Sequence, residues 1–158
     1  MPSNNLHRRG LSLWNHFRRK ICSSQPAAPR NGHPLLESTH LLAALHVRRA
    51  RIQPGAAADI DGHRARLVLA IDRWIASELP PAHCGAHMHT ETVGMVVDRL
   101  AQFSISAHES LSGAPEWAVH GAWERLAELA LGYHDLAYEV SAGLRRLPYL
   151  GDPRTYDT

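Results

Sequence analysis

A chain of 158 residues with 44% hydrophobic content suits one domain with its own core and leaves little room for a second. Its net charge of +2 divides unevenly: residues 1–30 carry Arg8, Arg9, Arg18, Arg19, Lys20 and Arg30 and no acid, whereas the remainder holds 11 arginines against 15 acids. The mildly acidic remainder argues against nucleic acid as the main partner, because neutralising phosphates takes a basic face, and no apolar run approaches the roughly 20 residues that a membrane-spanning helix needs.

In chain order, residues 1–30 read as a flexible basic extension. Leu6, Leu13, Trp14, Phe17 and Ile21 are interleaved with basic residues, so a short amphipathic helix over 11–21 would suit an anionic membrane surface or a partner. Ser23–Arg30 (SSQPAAPR) has the composition of a linker. From Asn31 a single helical domain extends to about residue 150, followed by a polar tail over 151–158.

A first helix is expected from Pro34, well suited to a first helical position, to about Arg51. Leu35, Leu41, Leu42, Leu45 and Ile52 lie on one side of it and Leu36, Ala43 and Val47 on another. Pro54-Gly55 interrupts the chain. A second helix, about Ala56–Leu79, carries Ile60, Leu67, Ile71, Trp74 and Ile75 on one stripe, with Arg66, Asp72 and Arg73 away from it. Pro80-Pro81 ends it, since neither proline continues the hydrogen-bond ladder.

A third helix is expected over about Glu91–Leu111, with Val93, Val96, Val97, Leu100, Phe103 and Ala107 as its core stripe and Thr90 or His89 before its first turn. After Ser112-Gly113-Ala114-Pro115, the periodicity predicts a last helix of about 30 residues, from Glu116 to about Leu147. No segment shows the β-branched alternation of a strand. Four amphipathic helices joined by turns point to an all-α fold, an antiparallel four-helix bundle.

Three features carry chemistry. His83, Cys84, His87 and His89 fall within seven residues, and imidazole and thiolate are good ligands for zinc or another transition metal. Their spacing matches no standard zinc motif, and an exposed histidine-rich connection is the plainer reading. On the third helix, Glu91, Asp98, Gln102 and Glu109 share one sector with Met95 and Ile105, a mixture that implies partial burial of the carboxylates. Arg99, Arg64, Arg66 and Arg73 are available to pair with them. Gly94, inside the helix, costs about 1 kcal/mol relative to alanine unless a close crossing or a ligand requires it. A ferritin-like metal centre is not indicated, because no Glu-x-x-His pair occurs.

The segment HTETVGMVVDRLAQFSISAHES resembles the signature of a bacterial family, the domain of unknown function 4254. The resemblance rests on Thr90, Glu91, Thr92 and Gly94, then Asp98-Arg99-Leu100, then His108; Ala101-Gln102-Phe103-Ser104 departs from a more aliphatic run. It implies a small all-α fold and bacterial origin, and no activity. Arginine-rich usage with Lys20 as the lone lysine also suggests GC-rich bacterial coding. Two cysteines do not make a disulfide framework, so a cytoplasmic setting is expected.

Two functional readings follow. In the favoured one the chain is a binding or accessory protein, homodimeric or bound to another protein, with its surface around the helix that begins at Glu91. In the other it is a small enzyme or metal-dependent protein. Glu91, Asp98 and His108 would then act as acid and base, Arg99, Thr90 and Gln102 would bind the ligand, and a metal would sit on the His83–His89 segment.

Overall fold

Each helix in the computed structural model, which describes residues 34–79 and 81–148, has a local chemical reason for its limits. Helix α1 (Pro34–Arg51) carries Glu37 in its first turn and Arg48, Arg49 and Arg51 in its last, matching the helix dipole at both ends. A short 3-10 turn at Pro54–Ala56 leads into α2 (Ala58–Glu78), which has Asp59 and Asp61 in its first turn. Its C-cap, Leu79, is extended (φ −89°, ψ 140°), as steric conflict with a following proline requires. The basic segment over 11–21, the linker and the tail over 151–158 lie outside the described residues.

Helix α3 (Val93–Ser110) begins two residues later than the sequence suggests. Thr92, not Thr90 or His89, is the N-cap: its backbone is extended and its Oγ1 accepts a bond from the Met95 amide at 3.3 Å. Helix α4 (Glu116–Ser141) ends well before Leu147. Its apolar periodicity continues past the end of the helix, but Gly143 adopts φ +70°. The Gly143 amide donates to the Val140 carbonyl and the Leu144 amide to that of Glu139, at 3.0 and 2.8 Å. This pair of bonds is a Schellman terminus, which favours a residue without a side chain at the left-handed position.

Two two-residue strands also form, although no strand was expected. His87–Met88 (β1) pairs in parallel with Arg145–Arg146 (β2), in register His87 to Arg145 and Met88 to Arg146. The glycine stop at α4 turns the chain back across the α2–α3 connection, and a minimal ladder results.

The described helices form an all-α four-helix bundle and fall in one unit, His33–Thr158. Helix α3 is its centre, since it packs against α1, α2 and α4, and α1 also packs against α2. The core joins Leu42 of α1, Ile71 of α2 and Val93, Val97 and Ala101 of α3. Tyr133 of α4 and Leu147 pack against it, so Leu147 reaches the core from outside any helix. None of the described helices is long and apolar enough to cross a membrane.

Gly94 marks the tightest crossing. A Cβ there would lie 2.5 Å from the Val68 carbonyl oxygen and 2.8 Å from Asp72 Oδ1, so α2 and the first turn of α3 approach as only glycine permits. We expect Gly94→Ala to lower unfolding free energy by about 1–3 kcal/mol, overpacking outweighing the gain in helix propensity. Urea denaturation checks this, and an unchanged or raised midpoint would contradict it.

Candidate functional site at the first turns of α3

The N-terminal half of α3 gathers most of the polar contacts between helices. Asp98 points toward α1 and α2 with its side chain only 16% exposed. His46 of α1 donates through Nε2 to Asp98 Oδ1 at 2.8 Å. Arg64 of α2 holds the same carboxylate with both arms of its guanidinium, Nε to Oδ1 at 3.2 Å and Nη2 to Oδ2 at 2.5 Å. Its third nitrogen, Nη1, reaches Asp61 at 3.1 Å, and Asp61 also accepts from Arg49 Nε at 3.2 Å. The five side chains form one hydrogen-bonded series across three helices.

Burial pushes the Asp98 carboxyl up, but the bonds from His46 and Arg64 outweigh it and hold the group below its ordinary value. The bond from Arg64 to Asp98, joined by its bond to Asp61, raises the guanidinium in turn. An ionised Asp98 only accepts, so the proton between it and His46 resides on the imidazole Nε2.

At the helix start, Asp72 Oδ1 accepts from the Gly94 amide at 2.7 Å. Thr92 and Asp72 thus bind two of the amides that a helix N-terminus leaves open, and a carboxylate there also suits the dipole. Glu91 is bonded to Arg99, two turns along. His108 donates through Nδ1 to its own helix at Ser104 O, 2.8 Å away, and its ring lies tilted against Trp123 of α4 at 5.4 Å between centroids.

Of the residues expected to act together, the structure joins Glu91 to Arg99 and leaves Asp98 and His108 apart. Ten residues on one α-helix separate the latter two by roughly 15 Å along the axis. Thr90 and Gln102 are exposed. The three carboxyl and imidazole groups therefore have three separate sets of partners.

The histidine-rich segment is open and extended. Cys84 is an exposed free thiol in a turn closed by the Ala86 amide on the His83 carbonyl at 2.9 Å. His87 is exposed in β1, and His89 Nδ1 lies 2.8 Å from the Glu91 carbonyl oxygen. The His83 amide donates to the Gly143 carbonyl at 3.1 Å, and its ring would stand 3.3 Å from a Cβ at that glycine. Among the described residues, no three His, Cys, Asp or Glu side chains are grouped to hold a metal ion.

The sequence pattern offered Arg64 among several available arginines, did not single out His46, and placed Asp72 away from the apolar stripe of its helix. The usable signal for His46 was its place beside Leu42 and Leu45 on the buried side of α1, where a polar ring needs a partner. For Asp72 it was the adjacency of Ile71, which turns toward α3.

The bundle and its polar seam define a small helical protein built around a capped and charge-tethered central helix. The chain belongs to the family described as Protein of unknown function (DUF4254), whose pattern matches residues 46–149, well over half its length. No curated protein and no solved structure matches it.

Asp98→Asn should cost about 1–3 kcal/mol in unfolding free energy at neutral pH, because buried His46 and partly buried Arg64 lose a charged acceptor. A native carboxyl held low stabilises the fold above its unfolded-state value of roughly 4 and loses that contribution as pH falls through the lower native value. The gap between wild type and Asp98→Asn in urea midpoints should therefore close on acidification from pH 6 to pH 2. A gap that stays constant would contradict this assignment.

Proposed function

We propose that this chain is a non-catalytic binding or accessory protein whose contact surface is the uncovered stripe of α3. One observation carries the reading. The central helix is covered by α1, α2 and α4, and what remains open is a narrow line of Met95, Arg99, Gln102, Ser106 and Glu109. These positions recur at offsets of four and three residues and so share one face.

The chemistry of that line suits recognition. Met95, 38% exposed, offers an adaptable apolar contact, and Gln102 and Ser106 offer hydrogen bonds. Arg99 is braced by Glu91, which limits the side-chain freedom lost when a partner binds. Thr90, exposed just before the helix, extends the surface. Glu91, Asp98 and His108 are engaged internally and apart, which supports positioning rather than acid–base work.

A photo-crosslinking residue placed at Met95 or Gln102 in the native host should give a discrete protein adduct, and one at exposed Glu116 should not. Adducts at neither α3 position, or equally at all three, would overturn the proposal. The same reading expects untagged protein to carry no stoichiometric zinc. Stoichiometric zinc that disappears in a His87→Ala/His89→Ala variant would instead establish a metal site on that segment.

A further inference from the structure

The outward faces of α2 and α4 carry the same spacing with opposite charge. On α2, Arg66, Leu69 and Arg73 are exposed at offsets of three and four residues. On α4, Glu128, Leu131 and Asp135 are exposed at those same offsets. Each triplet places two like charges two turns apart with a leucine between them, within about 60° of the helix circumference.

The surroundings extend the match. Ala65, Ala70 and Ala76 flank the arginines, and Ala127 and Gly132 flank the acids, all exposed, so side chains do not hold the two helices apart. Glu124 adds a third exposed acid to the α4 face. Trp117, Leu131 and Tyr138 are 77%, 47% and 69% exposed along it, and Leu69 is 39% exposed on α2. Apolar side chains of this size, seven or fourteen residues apart on one helix, form a seam of the kind that packs against a second helix.

We infer that α2 of one copy docks on α4 of a second copy. The charges select this arrangement over the symmetric ones, because α2 against α2 sets arginine against arginine and α4 against α4 sets acid against acid. Arg73 already takes part in an interaction within its own chain. Its guanidinium carries five donors, so an additional acceptor in trans is compatible with that interaction. The occupant is a second copy because the complementary partner for each face is present in the same chain. The proposal shares with the reading above only the idea of a macromolecular partner. It uses other faces, so loss of self-association with the Met95 adduct intact leaves that reading standing.

The test uses the full chain in sedimentation velocity, from micromolar to millimolar concentrations and at low and high salt. Wild type should self-associate, less so at high salt. Arg66→Glu/Arg73→Glu and Glu128→Arg/Asp135→Arg should each weaken association by at least about tenfold, since each sets like charges face to face. An equimolar mixture of the two variants should recover association. In the mixture, the acidic α2 of the first variant meets the basic α4 of the second, and the unaltered faces meet each other. Recovery also shows that neither variant is merely misfolded. Wild type that stays monomeric throughout, variants that associate like wild type, or a mixture that stays monomeric would each overturn the proposal.

Discussion

The carboxylate of Asp98 organises this fold. It sits on a helix that packs against all three other described helices, is largely withdrawn from solvent, and accepts from His46 of α1 and from two nitrogens of Arg64 of α2. Withdrawing a carboxylate from water is costly unless its lone pairs are used, and here three donors use them. The apolar core brings α1, α2 and α3 together without direction; the bonds to Asp98 fix their rotation and register. Asp61 and Arg49 continue the series, so each carboxylate and guanidinium in the seam faces an opposite charge, and the His46 imidazole ends it as a hydrogen-bond donor. The depressed carboxyl of Asp98 and the raised guanidinium of Arg64 are two expressions of the same contact.

The motif that characterises the family resemblance acquires a physical meaning from this arrangement. Thr92 caps α3, and Gly94 both admits the α2 backbone and gives its amide to Asp72. Glu91 braces Arg99, Asp98 ties α3 to α1 and α2, and Leu100 is buried. His108, near the other end of α3, contacts α4 through Trp123. Most of the motif therefore specifies how one helix is started and held, and Arg99 is the member that also lies on the open stripe. A partner that read that stripe would contact a helix already fixed in rotation, with little ordering left to complete on binding.

How much of this was legible in the sequence depended on the range of the interactions. Stripes at helical spacing located all four helices, because burial against any neighbour imposes the same periodicity. Local end signals were less reliable. The apolar series through Leu144 and Leu147 extended the last helix too far, since Leu147 serves the core without being helical and only the backbone of Gly143 marks the stop. The sequence offered Thr90 or His89 as the cap, and the actual choice of Thr92 depends on where Asp72 and Val68 meet Gly94. The site followed the same rule. A carboxylate among apolar neighbours signalled that Asp98 needed a partner, and Arg64 was one of several arginines on offer. That His46 would share it depends on the α1–α3 crossing, which no local pattern encodes.

The central claim is that Asp98 and Arg64 act as one structural unit that holds α3 to its neighbours. A double-mutant cycle measured by urea denaturation at neutral pH, with Asp98→Ala, Arg64→Ala and the combined variant, addresses it most directly. The account predicts a coupling free energy of about 1–3 kcal/mol between the two positions. Strict additivity of the two single losses, within about 0.5 kcal/mol, would contradict it.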